Sequence, residues 1–302
     1  MKKGFVLLAA ALLMAGACQS PKGSESTKDI ADHVIIIGLD GWGTWSFEDG
    51  DTPFIKEKMK EGSWTLYKRT VRPSISGPNW AAMMNGTPVE VSGITGNEKE
   101  PTFKPLVQTE HKAQPTFFHL MRLERPEAET GVVCEWGDFQ NYADTMCVSY
   151  KKKINGPSEH PDAIVEESVK YIKDKKPVIC FIHIDALDHM GHSYGKGSPE
   201  YMAELPKVDE RIRKIVEGVK EAGIYDDTIF MITSDHGHEG TGHGGDSTNE
   251  IETPFVVWGK GIKKNHEITE PMIQYDMAAT VAKVFHLKTP NSWRGVPMDV
   301  FE

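Results

Sequence analysis

Asp188-His189-Met190-Gly191-His192 and Ser234-Asp235-His236-Gly237 are two short clusters of carboxylate and imidazole, and His243 follows His236 by seven residues. Carboxylate oxygen and neutral imidazole nitrogen are donors that a divalent ion such as zinc accepts. Six of the twelve histidines (His183, His189, His192, His236, His238 and His243) fall in this stretch. With Asp40 upstream there are donors enough for two ions, and metal-assisted hydrolysis becomes the leading chemistry.

Each cluster also has a plainer reading. Asp188 and His192 are four residues apart, so one turn of helix or a tight loop can turn both toward one ion. Gly191 would let the backbone pass close to that ion, and without an ion the stretch is only a polar loop. Asp185 could replace Asp188 if the preceding strand ends sooner. Asp235 and His236 are adjacent and can converge at a turn, where Asp235 could equally be an N-cap. His243 lies in Gly240-Thr241-Gly242-His243-Gly244-Gly245, a backbone with little order of its own unless something binds the histidine. His238 and Asp246 are expected behind the ligands or facing solvent. The three clusters together favour a metal site far more than any one does.

Pro73-Ser74-Ile75-Ser76-Gly77-Pro78-Asn79-Trp80 precedes Ala81 to Gly86. Pro78 suits a first helical turn and Gly86 a helix end. Ser76 then sits near an N-cap, where it could simply cap. The same place offers a phosphate free N–H groups and the positive end of a helix dipole. There Ser76 would be the nucleophile, and Asn79 could donate to a non-bridging oxygen.

The elements that must carry these residues follow from hydrophobic runs. His33 to Leu39, ending at Asp40-Gly41, is a continuous β-branched run of the kind buried in a parallel sheet. Gly131 to Cys134, Pro177 to Ile184 and Thr228 to Thr233 are similar. Amphipathic stretches at Asp162 to Lys173, Pro199 to Ala222 and Gln274 to Phe285 alternate with them. The pattern predicts an α/β fold, a doubly wound, mostly parallel sheet sandwiched by helices. Asp40, Asp188 and Asp235 each follow a strand, where ligands of open α/β sheets bind. Residues 99–161 are richer in Pro and Glu and are expected to form a small cap or insertion that also lends a strand.

The 302 residues suit one large domain or two small ones, and seven Trp, eight Tyr and twelve Phe can fill a sizeable core. A net charge of −10 argues against sequence-independent nucleic-acid binding, which needs a basic surface. It leaves a phosphate ester open, because bound cations dominate the field of such a site. Residues 1–18 have a basic start at Lys2-Lys3 and an apolar stretch too short to span a bilayer. They resemble a bacterial lipoprotein signal, with Cys18 as the lipid-bearing residue; Ala15-Gly16-Ala17 would also serve ordinary secretion. Residues 19–32 read as a flexible tether and 33–302 as the catalytic domain. Export to the periplasm or outer membrane permits one disulfide, for which Cys134 and Cys147 are the nearer pair. Cys180 lies in an apolar run and is expected as a buried free thiol. The cysteine spacings do not suggest a metal site.

Gly38-Leu39-Asp40-Gly41, Pro73 to Asn79, Gly93-Ile94-Thr95-Gly96-Asn97, Asp188 to His192, Ser234 to Gly237 and His243 occur in the order seen in the alkaline phosphatase superfamily. The chain most resembles its type I phosphodiesterase/nucleotide pyrophosphatase branch, from about His33 to the C-terminus. The resemblance implies two zinc ions, one held by Asp188, His192 and His243, the other by Asp40, Ser76, Asp235 and His236. Gly242 to Ser247 with Glu252-Thr253-Pro254 is also similar to phosphoethanolamine-type transferases of that superfamily. Sulfatases resemble the chain less, because Ser76-Gly77-Pro78-Asn79 is followed by Trp80 where they carry Arg.

The expected activity is therefore a two-metal phosphohydrolase that cleaves phosphodiesters or nucleotide pyrophosphates through a phosphoserine, with a small phosphate ester or nucleotide as its partner. No Arg lies beside Ser76 in sequence, which favours diesters over dianionic monoesters. Trp42, Trp45 and Trp80 could stack on a nucleobase or pack in the core. The rivals are a phosphomonoesterase, a phosphoryl or phosphoethanolamine transferase, and a non-catalytic binding lipoprotein, with membrane attachment only through a lipid.

Overall fold

The computed structural model describes Met1 and residues 28–155 and 160–302. Eight strands form one sheet: β1 (His33–Leu39), β2 (Ser63–Arg69), β3 (Thr130–Cys134), β4 (Tyr150–Lys153), β5 (Ile179–Ile184), β6 (Thr228–Ser234), β7 (Glu252–Gly259) and β8 (His266–Glu267), in the order β4-β3-β5-β1-β6-β7-β2-β8. β4, β3, β5, β1 and β6 run parallel, while β7 is antiparallel to both of its neighbours. The helices are α1 (Pro53–Glu61), α2 (Ser76–Asn85), α3 (Val89–Ser92), α4 (Phe117–Glu124), α5 (Ala163–Lys175), α6 (Ala186–Tyr194), α7 (Pro199–Glu221), α8 (Thr248–Ile251) and α9 (Asp276–Val284).

β1 is apolar without interruption because both of its faces are covered. Val34 and Ile36 enter a core with residues of α2, α4 and α9; Ile35, Ile37 and Leu39 enter the opposite core with residues of α1, α5 and α7. This is the predicted α/β sandwich. The register then places the chemistry. Leu39 pairs with Ile184 of β5 on one side and with Ser234 of β6 on the other. The three central strands therefore end level, and the chain leaves them together at Asp40, Asp185 and Asp235.

Residues 99–161 do more than cover a face. They supply α4, β3 and the edge strand β4, and Phe117, Phe118 and Met121 are fully buried in the main core. Among the described residues their Pro and Glu lie in connecting loops, apart from Glu124 at the end of α4. Cys134 and Cys147 are not paired: both, with Cys180, are buried free thiols. Cys134 lies in β3, where its sulfur accepts a hydrogen bond from Gln140, while Cys147 faces His111, His119 and Asp144. Leader residues 2–18, Cys18 and the tether up to residue 27 lie outside the described residues. The end of the tether is fastened to the domain: Ile30 N–H donates to Val284, Asp32 N–H to Asp227, and Asp29 pairs with Arg125. Among the described residues no helix is long and apolar enough to cross a membrane.

Candidate metal centre and nucleophile

Asp188 lies in the first turn of α6 and His192 one turn later, so both side chains leave the same helix face. His192 Nε2 lies 3.4 Å from Asp188 Oδ2 and 3.1 Å from His243 Nε2. Its Nδ1 donates to the Thr241 carbonyl at 2.9 Å, which leaves an unprotonated Nε2 turned toward His243. The glycine-rich loop brings His243 Nε2 to 3.6 Å from Asp188 Oδ1. Asp188, His192 and His243 thus form one compact donor set.

Asp40, Asp235 and His236 form the second. Asp40 Oδ2 accepts from His183 Nε2 at 2.8 Å and from Trp80 Nε1 at 3.2 Å, which leaves its Oδ1 without a donor. Asp235 Oδ1 accepts from Gly41 N–H at 3.2 Å, and its Oδ2 likewise has no donor. His236 Nδ1 donates to the Gly237 carbonyl, so its Nε2 lone pair points into the same space, 3.2 Å from Asp235 Oδ2 and 3.4 Å from Asp40 Oδ1. Ser76, the first residue of α2, places Oγ 3.1 Å from His236 Nε2. Both sets and the serine meet in one site beyond the ends of β1, β5 and β6.

The electrostatics fit cations. Burial pushes His236 and His243 down to about 4 and His183 to about 3, so all three imidazoles are neutral near pH 7. Burial, then Asp188, pushes Asp235 up to about 6. Asp40 is raised well above the usual carboxylate range by burial, then by Asp235 and Asp188. Burial also acts to raise Asp188, but His238, 3.0 Å from its Oδ1, and the surrounding imidazoles outweigh it and hold this carboxyl low. Among the described residues no Lys or Arg pairs with these three carboxylates. Acceptors without donors, neutral imidazoles and crowded carboxylates together suit two divalent ions, and imidazole among the donors suits zinc.

Several expectations need correction. Asn79 is fully buried and spends its amide on the loop before α2: Oδ1 accepts from Val71 N–H at 2.8 Å, and Nδ2 donates to Pro73 and Ile75 carbonyls. It has no hydrogen left for a phosphate oxygen. Asn97 stands at that place instead. Its Oδ1 accepts from Gly77 N–H at 2.7 Å, next to Ser76, and this pins the amide beside the serine. The signal was present in Gly93-Ile94-Thr95-Gly96-Asn97, without a role attached.

His238 is wholly buried, with Nε2 3.0 Å from Asp188 Oδ1. Gly191 makes room for this ring rather than for an ion: a Cβ there would lie 2.4 Å from His238 Nε2. Asp185 occupies the N-cap position of α6 without a side-chain cap bond, its N–H is bonded to Glu135 and its carboxylate lies near Asp40 and His183, while His189 is exposed. Trp42 and Trp80 are fully buried and cannot stack on a ligand, whereas Trp45 is half-buried against Tyr201. The cations that precede Ser76 are occupied. Arg69 pairs with Glu252, Arg72 with Asp246, and buried Lys68 donates to the Ser234 carbonyl. Lys68 and Gln274 together hold the carbonyls at the end of β6 and so position Asp235.

Comparisons with known proteins bear on the family and the fold. Residues 34–253 match the family model for type I phosphodiesterase/nucleotide pyrophosphatase. The chain is similar to GPI ethanolamine phosphate transferase 1 of Candida glabrata, at 26% identity over 231 residues, 72% of this chain and 25% of that protein. The same enzyme of Aspergillus fumigatus is 37% identical over 220 residues, 70% of this chain and 21% of that protein. The chain thus spans about a quarter of the length of these relatives. Its fold is similar to murine ectonucleotide pyrophosphatase/phosphodiesterase 5 in complex with AMP (TM-score 0.68, 16% identity, 86% of this chain and 96% of that one). It is also similar to a 2-O GAG sulfatase (TM-score 0.70, 16% identity, 88% and 73%).

Proposed function

The chain belongs to the type I phosphodiesterase/nucleotide pyrophosphatase family, and on that premise we propose that it is a two-metal phosphohydrolase that cleaves phosphodiesters or nucleotide pyrophosphate bonds through Ser76. Asp188, His192 and His243 would hold one zinc ion; Asp40, Asp235, His236 and Ser76 would hold the other. When bound, such a pair supplies Lewis-acid charge to the nucleophile and to the leaving oxygen.

The chain's own residues account for the rest. α2 presents Ser76 at its N-terminus, where the helix dipole favours an anion. Ser76 Oγ, its proton given up to solvent, would attack phosphorus in line and displace the leaving oxygen, which takes a proton from water, and would carry the still-esterified phosphoryl group until water displaces the serine and restores its proton. Asn97, held through its Oδ1, would donate from Nδ2 to a non-bridging oxygen. His183 and Trp80 orient Asp40, and His238 orients Asp188.

The observation that carries the reading is Ser76 Oγ at 3.1 Å from Nε2 of His236, a member of the Asp40–Asp235–His236 donor set. Ser76→Ala with retained metal content should lose about four to six orders of magnitude in kcat; full turnover would overturn the reading. The commitment of buried Lys68 to the Ser234 carbonyl supports diesters over monoesters. Relative kcat/KM on bis-p-nitrophenyl phosphate and p-nitrophenyl phosphate tests this.

A second reading, phosphoethanolamine transfer, is supported by the names of the curated relatives. Product analysis with and without an alcohol acceptor separates transfer from hydrolysis. Export with lipid attachment at Cys18 completes the proposal; metabolic labelling with a fatty acid, lost in Cys18→Ala, tests it.

A further inference from the structure

We propose that His111, His119, Asp144 and Cys147 form a further divalent-metal site, closed and structural, separate from the proposed catalytic pair. The four side chains come from three places: the turn before α4, α4 itself, and the Asp144-Thr145-Met146-Cys147 turn that leads into β4. Their donor atoms all lie within 4.8 Å of one another.

The hydrogen-bonding distances within the cluster also fit the edges of one coordination shell. His111 Nδ1 is 3.1 Å from Asp144 Oδ2, and His119 Nδ1 is 3.7 Å from it. Cys147 Sγ lies 3.4 Å from the same oxygen, 3.4 Å from His119 Nδ1 and 3.7 Å from His111 Nδ1. A tetrahedral zinc with Zn–S of about 2.3 Å and Zn–N or Zn–O of about 2.0 Å has edges of about 3.3 Å between N and O donors and about 3.6 Å to sulfur. The observed separations bracket those edges. Two imidazoles and a thiol converge on the Asp144 carboxylate.

The surroundings are those of a built site. Asp144, His119 and Cys147 are each at most 5% exposed, while His111 is exposed and closes the set from the solvent side. Asp144 takes a left-handed backbone (φ 52°), and Cys147 N–H donates to its carbonyl at 2.8 Å, which closes the turn with both side chains toward the histidines. Four protein donors leave no open position, which marks a structural rather than a catalytic ion. Binding would release the thiol proton and leave a thiolate on the metal. Among such ions, one thiolate, two imidazoles and one carboxylate suit zinc.

The ion would tie the loop that contains His111 to α4 and to the start of β4. It would also brace one wall of the catalytic site. Tyr142, two residues before Asp144, packs so closely on Gly77 that an added Cβ would lie 2.6 Å from its hydroxyl. Gly77 is the neighbour of Ser76.

Sulfur makes the test independent of the catalytic reading, because neither catalytic set contains a cysteine. The purified chain is stripped with chelator, reloaded with cobalt(II), and examined by absorption spectroscopy and metal analysis. The expected result is a near-ultraviolet sulfur-to-cobalt charge-transfer band. Cys147→Ser should lose that band and one equivalent of metal, while Cys180→Ser keeps both. If Cys147→Ser does not fold, X-ray absorption of the zinc-loaded wild type decides, with one sulfur at about 2.3 Å expected on one ion. Absence of the band from the wild type, or a zinc shell without sulfur, overturns the proposal whatever the enzyme activity.

Discussion

Asp40→Asn should reverse the order of stability between metal-free and zinc-loaded protein. In the metal-free state Asp40 and Asp235 are buried carboxylates with donor oxygens no more than 4.8 Å apart. At an effective dielectric of about 20, two full charges at that distance repel by about 3 kcal/mol. Asparagine keeps both existing contacts, since His183 and Trp80 donate to the same oxygen of Asp40. Its amide then faces Asp235 as a donor, where the wild type presents a second charge. Relaxation and partial protonation reduce the gain, so metal-free Asp40→Asn should be more stable by about 1–3 kcal/mol at pH 8. With zinc the wild type recovers about 4 kcal/mol from this set at free zinc 1,000-fold above Kd, and the variant forfeits most of it. Urea denaturation with EDTA and with buffered zinc measures both orders. If the variant is the less stable protein in EDTA, or gains as much from zinc as the wild type does, the charge-crowding argument is wrong.

Asn97→Ala should lower kcat by about 10²–10³ and cost only about 0.5–1.5 kcal/mol of stability for the one hydrogen bond it loses. Asn79→Ala, which strips one buried and two part-buried hydrogen bonds, should instead cost about 2–4 kcal/mol in urea denaturation. Gly191→Ala drives a methyl against the His238 ring and should weaken zinc at the Asp188–His192–His243 set by about 10–100-fold in chelator competition, with the Asp40 set spared. Glu135 is pushed up to about 7 by burial, against 4.5 when unfolded. A raised carboxyl favours folding at low pH, and that advantage is lost as pH climbs from about 4.5 to about 7. Glu135→Gln keeps an acceptor for Asp185 N–H and should be more stable than wild type by up to about 3 kcal/mol at pH 8, with no advantage near pH 4, when metal-free proteins are compared in urea.

The element types around the site follow from local chemistry, which needs no tertiary information. Runs such as Val34-Ile35-Ile36-Ile37 can only be strands covered on both faces, and an Asp at each strand end must come out at the sheet's rim. Asp188 and His192 share a helix face because four residues make about one turn. The partners of those residues are another matter, since partnership depends on register and on long-range packing. Leu39 facing Ile184 and Ser234 is what lets three strand ends deliver their residues to one point. Asn79 and Asn97 are chemically alike, and only the path of the loop before α2 decides which one is spent on backbone carbonyls. The same holds for His238, buried against Asp188 in the cleft left by Gly41 and Gly191, and for β7, whose reversed direction leaves no mark in its composition. Cys147 is the sharpest case. Sequence spacing allows it a disulfide with Cys134, but β3 carries that thiol away, and the fold turns Cys147 toward two histidines and an aspartate that are 36, 28 and three residues distant.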